Sequence, residues 1–441
     1  MATPRRHPTR VLCIGLSAAT LALATAVACV VTLATTQSAQ AQSYTVIHSF
    51  TGGADGGKPG AGLTIDRAGT LYGTTWFGGT GNGVVFKLFR RNSNWVLNPL
   101  YSFAGGNDGA IPGARVVFGP DGSLYGTTQT GGGTTQCYFG PPGHGCGTVF
   151  NLRPSATACI TALCPWTETV LNRFDRGGGA FPNADSIFDP TGTLYSTTPL
   201  GGPYGDCDAE GDGCGTAYKL TRSGNNWNET VFYNFGQVRD ASEPNGVIFD
   251  NAGNLYGTSS AGGYNFGTVF ELMPFGSGWT ETILFRFNGG SQGEYPSSVI
   301  IDNLGNLYGA TSAGGVSGGG TVFELTQSGG IWTLNTLYSF AGSNGGPARS
   351  LVMDAAGNLY GTTYADGAHQ RGNVFKLTHS NGRWTYASLY DFTGGSDGSY
   401  PLSSVAFDAN GNLYGTTFAG GIGACNLNGI TGCGVVWEIT P

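Results

Sequence analysis

The chain has 441 residues, of which 78 are glycine, 12% aromatic, 40% apolar and only 11% charged, with a formal net charge of −7. Glycine this abundant without a Gly-X-Y period, beside so many aromatics, excludes collagen and a disordered chain and leaves a fold of many short strands and tight turns. A charge-poor, mildly acidic surface also excludes a nucleic-acid binder, which neutralises phosphates with clustered Lys and Arg.

At the N-terminus, Arg5, Arg6 and Arg10 precede an apolar stretch from Val11 to Leu33, and Ala39-Gln40-Ala41 places small residues at cleavage spacing. Residues 1–41 therefore read as a secretory signal peptide, with a mature chain from Gln42. Left uncleaved, the same stretch is long enough to anchor the chain in a bilayer. A lipoprotein reading at Cys29 fails on Ala26 in the usual Leu place, and Arg5-Arg6 alone is too little for a twin-arginine signal.

After a lone strand at Tyr44–Phe50, one unit of roughly 50 residues recurs. Its Leu-Tyr-Gly-Thr-Thr core brings back a tyrosine at Tyr72, Tyr125, Tyr195, Tyr256, Tyr308, Tyr360 and Tyr414. Six residues earlier stands Asp66, Asp189, Asp250, Asp302, Asp354 or Asp408, with Gly119 the exception, and a glycine follows three residues later. Asp-x-x-Gly between apolar runs predicts a hairpin turn, capped by the Asp side chain with Gly at positive φ. The same role in six copies makes this Asp a turn former and not a catalytic carboxylate.

One unit illustrates the strands: Ser298–Asp302 as strand a, Leu307–Thr311 as b, Gly320–Leu325 as c and Trp332–Phe340 as d. Trp332 and Phe340, eight residues apart, are predicted on one face of strand d, as are Trp95/Phe103, Trp166/Phe174, Trp227/Phe235, Trp279/Phe287 and Trp384/Phe392. Four strands per unit predict an all-β, seven-bladed β-propeller with four-stranded antiparallel blades. The blades span about 59–103, 112–174, 182–235, 244–287, 296–340, 347–392 and 401–441 plus 42–50. Residues 44–50 form a strand d without its a, b and c, and Val435–Ile439 a strand c without its d. The first strand thus completes the last blade, closing the ring of the domain 42–441 without exposed edges.

Asp-x-x-Gly-Asn-Leu-Tyr-Gly-Thr-Thr, followed by Gly-Gly, Gly-Thr-Val-Phe and Tyr-Ser-Phe-x-Gly-Gly, resembles the GloVer repeat of bacterial choice-of-anchor tandem-repeat proteins. That resemblance implies an exported protein at the cell surface or in the medium. Family members often end in an anchoring module, whereas this chain stops at Pro441, which favours free secretion or N-terminal attachment. The Pro-x-x-x-Ile-x-x-Asp-x-x-Gly-Asn-Leu-Tyr pattern is also similar to NHL-type and lyase-type propellers, which include binders and enzymes.

With Cys13 and Cys29 in the signal, eight cysteines remain as four close pairs: Cys137/Cys146, Cys159/Cys164, Cys207/Cys214 and Cys425/Cys433. An even count, local spacing and an export signal point to disulfides, since no pair has C-x-x-C spacing and no histidine is suitably placed for a metal. Strand a lines the channel of a propeller, and the d–a and b–c loops share one face. The d–a loops carry Asp55, Asp108 and Asp397, and the b–c loops of blades 2, 3 and 7 carry cysteine pairs that end just before strand c. Such staples either rigidify a binding face or simply tie down long exposed loops.

Three groups of residues are candidates for a site. Asp206, Asp208, Glu210 and Asp212 alternate like a calcium loop, although Ala217 stands where a bidentate Glu is needed and a solvated acidic loop is the competing reading. Trp76, Tyr364 and Phe418 follow the core motif in blades 1, 6 and 7, contiguous once the ring closes. They offer faces for stacking on sugars if exposed, and inter-blade packing if not. Gly62, Arg115, Asp185, Gly246, Ser298, Ser350 and Ser404 line the channel, where Arg115 and Asp185 on neighbouring blades form either a ligand-binding pair or a structural one. His48, His144, His369 and His379 occupy unrelated positions, so no catalytic residue is assigned, and no cofactor beyond the calcium reading. The leading expectation is a monomeric, secreted or surface-bound, non-catalytic binding or adhesion propeller for a glycan or extracellular protein. An extracellular lactonase- or lyase-like enzyme and a structural envelope or matrix component are the alternatives.

Overall fold

The computed structural model describes residues 42–134, 137, 145–154, 166–205, 207, 212–236, 240–342, 346–347 and 350–441. The signal segment, Cys159, Cys164, Asp206, Asp208 and Glu210 lie outside them. The unit Tyr44–Thr440 is a seven-bladed β-propeller of four-stranded antiparallel sheets. Blade 5 shows the plan, with strands a to d at Glu294–Ile301, Leu307–Ala313, Thr321–Ser328 and Ile331–Ser339. In blade 7, Ala406–Phe407, Leu413–Thr417 and Val435–Thr440 are completed by Ser43–Ser49, so the first strand closes the last sheet.

Strand b is buried at all five positions of its Leu-Tyr-x-Thr-Thr core, so its polar side chains need partners inside the protein. Threonine meets that demand. The Thr128 hydroxyl donates to the Thr130 carbonyl and pairs with the Thr148 hydroxyl at 2.8 Å, and Thr311 and Thr321 repeat the arrangement. The glycine between Tyr and Thr makes room for the aromatic of strand c: a Cβ on Gly126 would lie 2.6 Å from the Phe150 ring.

The expectation for strand d is overturned in one respect. Trp332 packs with Phe323, Leu325 and Tyr256 toward blade 4, while Phe340 packs with Leu359, Phe375 and Leu377 toward blade 6. The reason is a β-bulge: the register jumps between Val322 and Phe323, and the same jump recurs in blades 1 to 4 and 6. One extra residue reverses the parity of everything after it. In blades 1 to 6 the outer strand therefore clasps the preceding blade with its Trp and the following blade with its Phe. The Phe contacts form edge-to-face pairs, including Phe103–Phe150 at 5.1 Å, Phe340–Phe375 at 5.3 Å and, across the closure, Phe50–Phe86 at 5.2 Å. Each pair adds about 1 kcal/mol beyond its buried area.

The a–b turns follow the Asp-x-x-Gly rule. Asp302 Oδ1 accepts the N–H groups of Leu304 and Asn306, and Oδ2 accepts the Asn306 amide at 2.9 Å and the Tyr308 hydroxyl at 3.3 Å. In blade 2, Asp121 takes over from Gly119, accepting the Ser123 N–H and the Tyr125 hydroxyl at 3.1 Å each.

Candidate functional site

Strand a is where the channel face departs most from regular sheet. In blades 1, 2, 3, 6 and 7 its ladder with strand b is only two residues long, as at Val117–Phe118, and the inner part is held by isolated bridges such as Ala110–Thr130. The cause is local. Lys58, Ile111, Phe181, Glu243, Tyr295 and Tyr400 each precede a proline and hold φ between 54° and 59°, a left-handed conformation costly for a side chain. Their N–H groups donate to carbonyls of the preceding blade at 2.7–2.9 Å: Cys433, Asn82, Cys146, Cys214, Phe266 and Arg371, respectively. The proline that follows packs on a glycine of that blade; a Cβ on Gly83, Gly147, Gly215, Gly267, Gly372 or Gly434 would lie within 2.7 Å of the proline ring.

Three of these six carbonyls belong to cystines. Cys137–Cys146, Cys207–Cys214 and Cys425–Cys433 are disulfides with Cα separations of 5.1, 5.1 and 4.9 Å. Each b–c staple thus fixes the acceptor for the next blade's strained residue. The d–a acids have an equally local duty. Asp397 accepts from the Thr393 N–H and hydroxyl at 2.7 and 2.6 Å, and Asp55 and Asp108 cap their loops in the same way.

At the channel, Gly62, Arg115, Asp185, Gly246, Ser298, Ser350 and Ser404 line one cavity of roughly 410 Å³. The Arg115 Nε lies 3.0 Å from Asp185 Oδ2, and the Arg115 main-chain N–H donates to Oδ1 at 2.9 Å. Both side chains are 39% exposed, so the pair braces blades 2 and 3 while remaining open to a ligand. Asn245 lines the same cavity, but its amide is engaged with the Pro296 carbonyl and the Ser260 hydroxyl.

The aromatics divide differently from a shared stacking face. Phe418 is only 4% exposed, with the Trp76 ring edge-on to it at 5.1 Å and the Lys58 Nζ 5.1 Å from its centroid. Trp76, half-buried, also rests against Gly60, so these two rings fill the joint between blades 7 and 1. A free stacking face at Phe418 is thereby corrected: the next blade covers it. Tyr364 is half-buried against Tyr400, ring centroids 4.9 Å apart, with Arg371 bonded to the Tyr400 hydroxyl. Of the acidic loop, Asp212 is described and pairs with Arg176 at 3.1 Å. Among the described residues no group of three or more His, Cys, Asp or Glu could hold a metal, and no helix is long and apolar enough to cross a membrane.

Sequence reasoning missed Lys58. It is fully buried, its ammonium donates to the Ile430 carbonyl at 2.7 Å, and burial pulls it down to about 8. The signal was available as the residue before each strand-a proline.

The Gloeobacter/Verrucomicrobia repeat matches residues 30–209 and again 204–430. The chain belongs to this repeat family. No curated protein matches it. Among solved structures, this member of the Gloeobacter/Verrucomicrobia repeat family is similar to an ulvan lyase from a new family of polysaccharide lyases. The two share 10% identity over 89% of this chain and 94% of that one, with a TM-score of 0.54. It is also similar to the extracellular domain of a one-component system from B. thetaiotaomicron, at 11% identity over 90% of this chain and 40% of that one, with a TM-score of 0.52. At such identities the likeness shows the propeller fold alone.

Proposed function

We propose that this chain is an exported, non-catalytic binding or adhesion propeller that takes a glycan or an extracellular protein on the loop end, around the channel mouth. The chemistry of that mouth carries the reading. Asp185 is held by the Arg115 guanidinium and N–H, and the five other blades offer Gly62, Gly246, Ser298, Ser350 and Ser404. Lyase or lactonase chemistry calls for an acid/base pair or converging metal ligands, and the described residues bring neither together there. The three disulfides among the described residues support export to an oxidising compartment.

The test is a glycan array and a surface-protein pull-down with the purified chain and its Arg115→Ala variant. Loss of the bound partner in the variant, at least about tenfold, supports the reading. The half-exposed ion pair itself contributes within about 1 kcal/mol of stability, so the variant folds. Appearance of a cleaved polysaccharide or an opened lactone overturns it in favour of an enzyme.

A further inference from the structure

The first half of strand d carries a tryptophan in blades 1 to 6, and what lies beside that ring differs from blade to blade. In blade 1 the Arg90 guanidinium sits 4.6 Å from the Trp95 centroid, and its Nη2 lies 3.0 Å from both oxygens of Glu438 on strand c of blade 7. In blade 6, His379 covers Trp384 at 4.9 Å. Blade 3 repeats the blade 1 plan in register: Arg222 pairs across the hairpin with Trp227 as Arg90 does with Trp95. On the preceding blade, Asn151 stands opposite Tyr125 as Glu438 stands opposite Tyr414. The arginine and the tryptophan are kept, but an amide replaces the carboxylate.

The consequence is an arginine without its anion. Arg222 is exposed, its Nε donates to the Gly224 carbonyl at 3.0 Å, and none of the described residues takes its terminal amino groups. Asn151 is already committed, donating to the Leu124 carbonyl at 3.1 Å and accepting from Arg153 Nε at 2.7 Å, while Arg153 also reaches Asp121 at 3.3 Å. Between blades 2 and 3 this leaves a groove of roughly 580 Å³, lined by Asn151, Arg153, Arg222, Asn225, Asn226 and Trp227. That volume falls within the range of small-ligand sites.

We propose that this groove binds an acidic sugar residue, whose carboxylate or sulfate takes the place beside Arg222 that Glu438 holds beside Arg90. A planar guanidinium fork matches an oxyanion. The half-buried indole of Trp227 supplies an apolar face for the C–H side of a pyranose, and the asparagine amides can both donate to and accept from its hydroxyls. With a net charge of −7 the chain has no general attraction for polyanions, so binding depends on this local positive site. The c–d hairpins that line the groove are separate from the strand-a residues of the channel mouth, so the two proposals stand independently.

Calorimetric titration of the purified chain with oligogalacturonate, a sulfated galactan and neutral dextran tests it. Binding of one or both acidic glycans, but not dextran, is expected, and the arm that binds identifies carboxylate or sulfate. Arg222→Ala is expected to weaken it about tenfold or more. Asn151→Glu rebuilds the blade 1 pair inside the groove and is expected to abolish binding, because the protein's own carboxylate then occupies the arginine. Binding lost in Arg115→Ala but kept in Arg222→Ala would place the glycan at the channel mouth and overturn the proposal. No acidic glycan bound by the wild type, or binding that survives substitution at Arg222, overturns the proposal. Arg222 lies on an exposed hairpin, so that variant decides the matter even if Asn151→Glu fails to fold.

Discussion

The two ends of this propeller are held by different kinds of contact. At the hairpin end each blade finishes itself: Asp302 gathers donors from residues two, four and six positions along its own chain. At the loop end six of the seven blades are finished by their neighbour, through a left-handed residue whose N–H reaches the preceding blade and a proline seated on that blade's glycine. A self-contained turn tolerates revision, as blade 2 does by moving its carboxylate from position 119 to Asp121. A joint shared by two blades couples its partners, so that neither can move without straining the other.

Breaking a shared joint therefore has the largest effect. Gly267 has φ +89°, and a Cβ there would lie 2.5 Å from the Pro296 ring, so Gly267→Val combines backbone strain with overpacking. We expect a loss of about 3 kcal/mol or more in urea unfolding; a loss under about 1 kcal/mol would mean the joint yields freely. Removing the staple at the closure comes next. Cys425–Cys433 holds the blade 7 loop against Gly52 and Gly57 of the N-terminal segment. The Cys425→Ser/Cys433→Ser double variant is expected to lose about 2 kcal/mol, measured in the same way. An unchanged midpoint would show that Lys58 and the closing strand suffice without it. A self-contained turn is the mildest of the three: Asp302→Ala should lose about 1–2 kcal/mol. If it cost as much as Gly267→Val, the contrast between the ends would collapse.

The same contrast explains what the sequence made legible. The hairpin end is written in spacing, so Asp-x-x-Gly, the Leu-Tyr cores and the seven-fold count could be read directly, and with them the closure by residues 44–50. The bulge in strand d could not, because it inserts no unusual residue; Leu337 looks like any other apolar position, yet past it the Phe turns to the next blade. Lys58 and its counterparts were hidden for a related reason: X-Pro ordinarily reads as extended backbone, and only a neighbouring blade supplies the carbonyl that holds it left-handed. Arg115 and Asp185 were recognisable as a pair because one repeat position placed them on adjacent blades. Arg222 escaped notice because its meaning lies in a missing partner, visible only when Asn151 is superposed in register on Glu438.

The smallest effect sharpens the comparison where the loop end meets the outer strands. Burial, with the nearby Asp108 carboxylate, pushes Glu168 up to about 8, although Arg173 opposes the shift. Burial likewise lifts Glu229 to about 7, with Asp175 adding to the effect and the Asn172 hydrogen bond opposing it. A carboxyl whose folded value is raised binds its proton more tightly in the native state. Its contribution to stability is therefore complete below its ordinary value of 4.5 and is lost as pH rises through about 8. Glu168→Gln fixes the neutral form, so the variant should match the wild type near pH 4.5 and exceed it near pH 8.5. Because the side chain is partly exposed, solvent screening holds the gain under about 1 kcal/mol. Thermal unfolding at the two pH values reads the difference directly. A loss of stability in the variant at pH 8.5 would reverse the sign, and would mean that Arg173 and not burial with Asp108 governs this carboxyl.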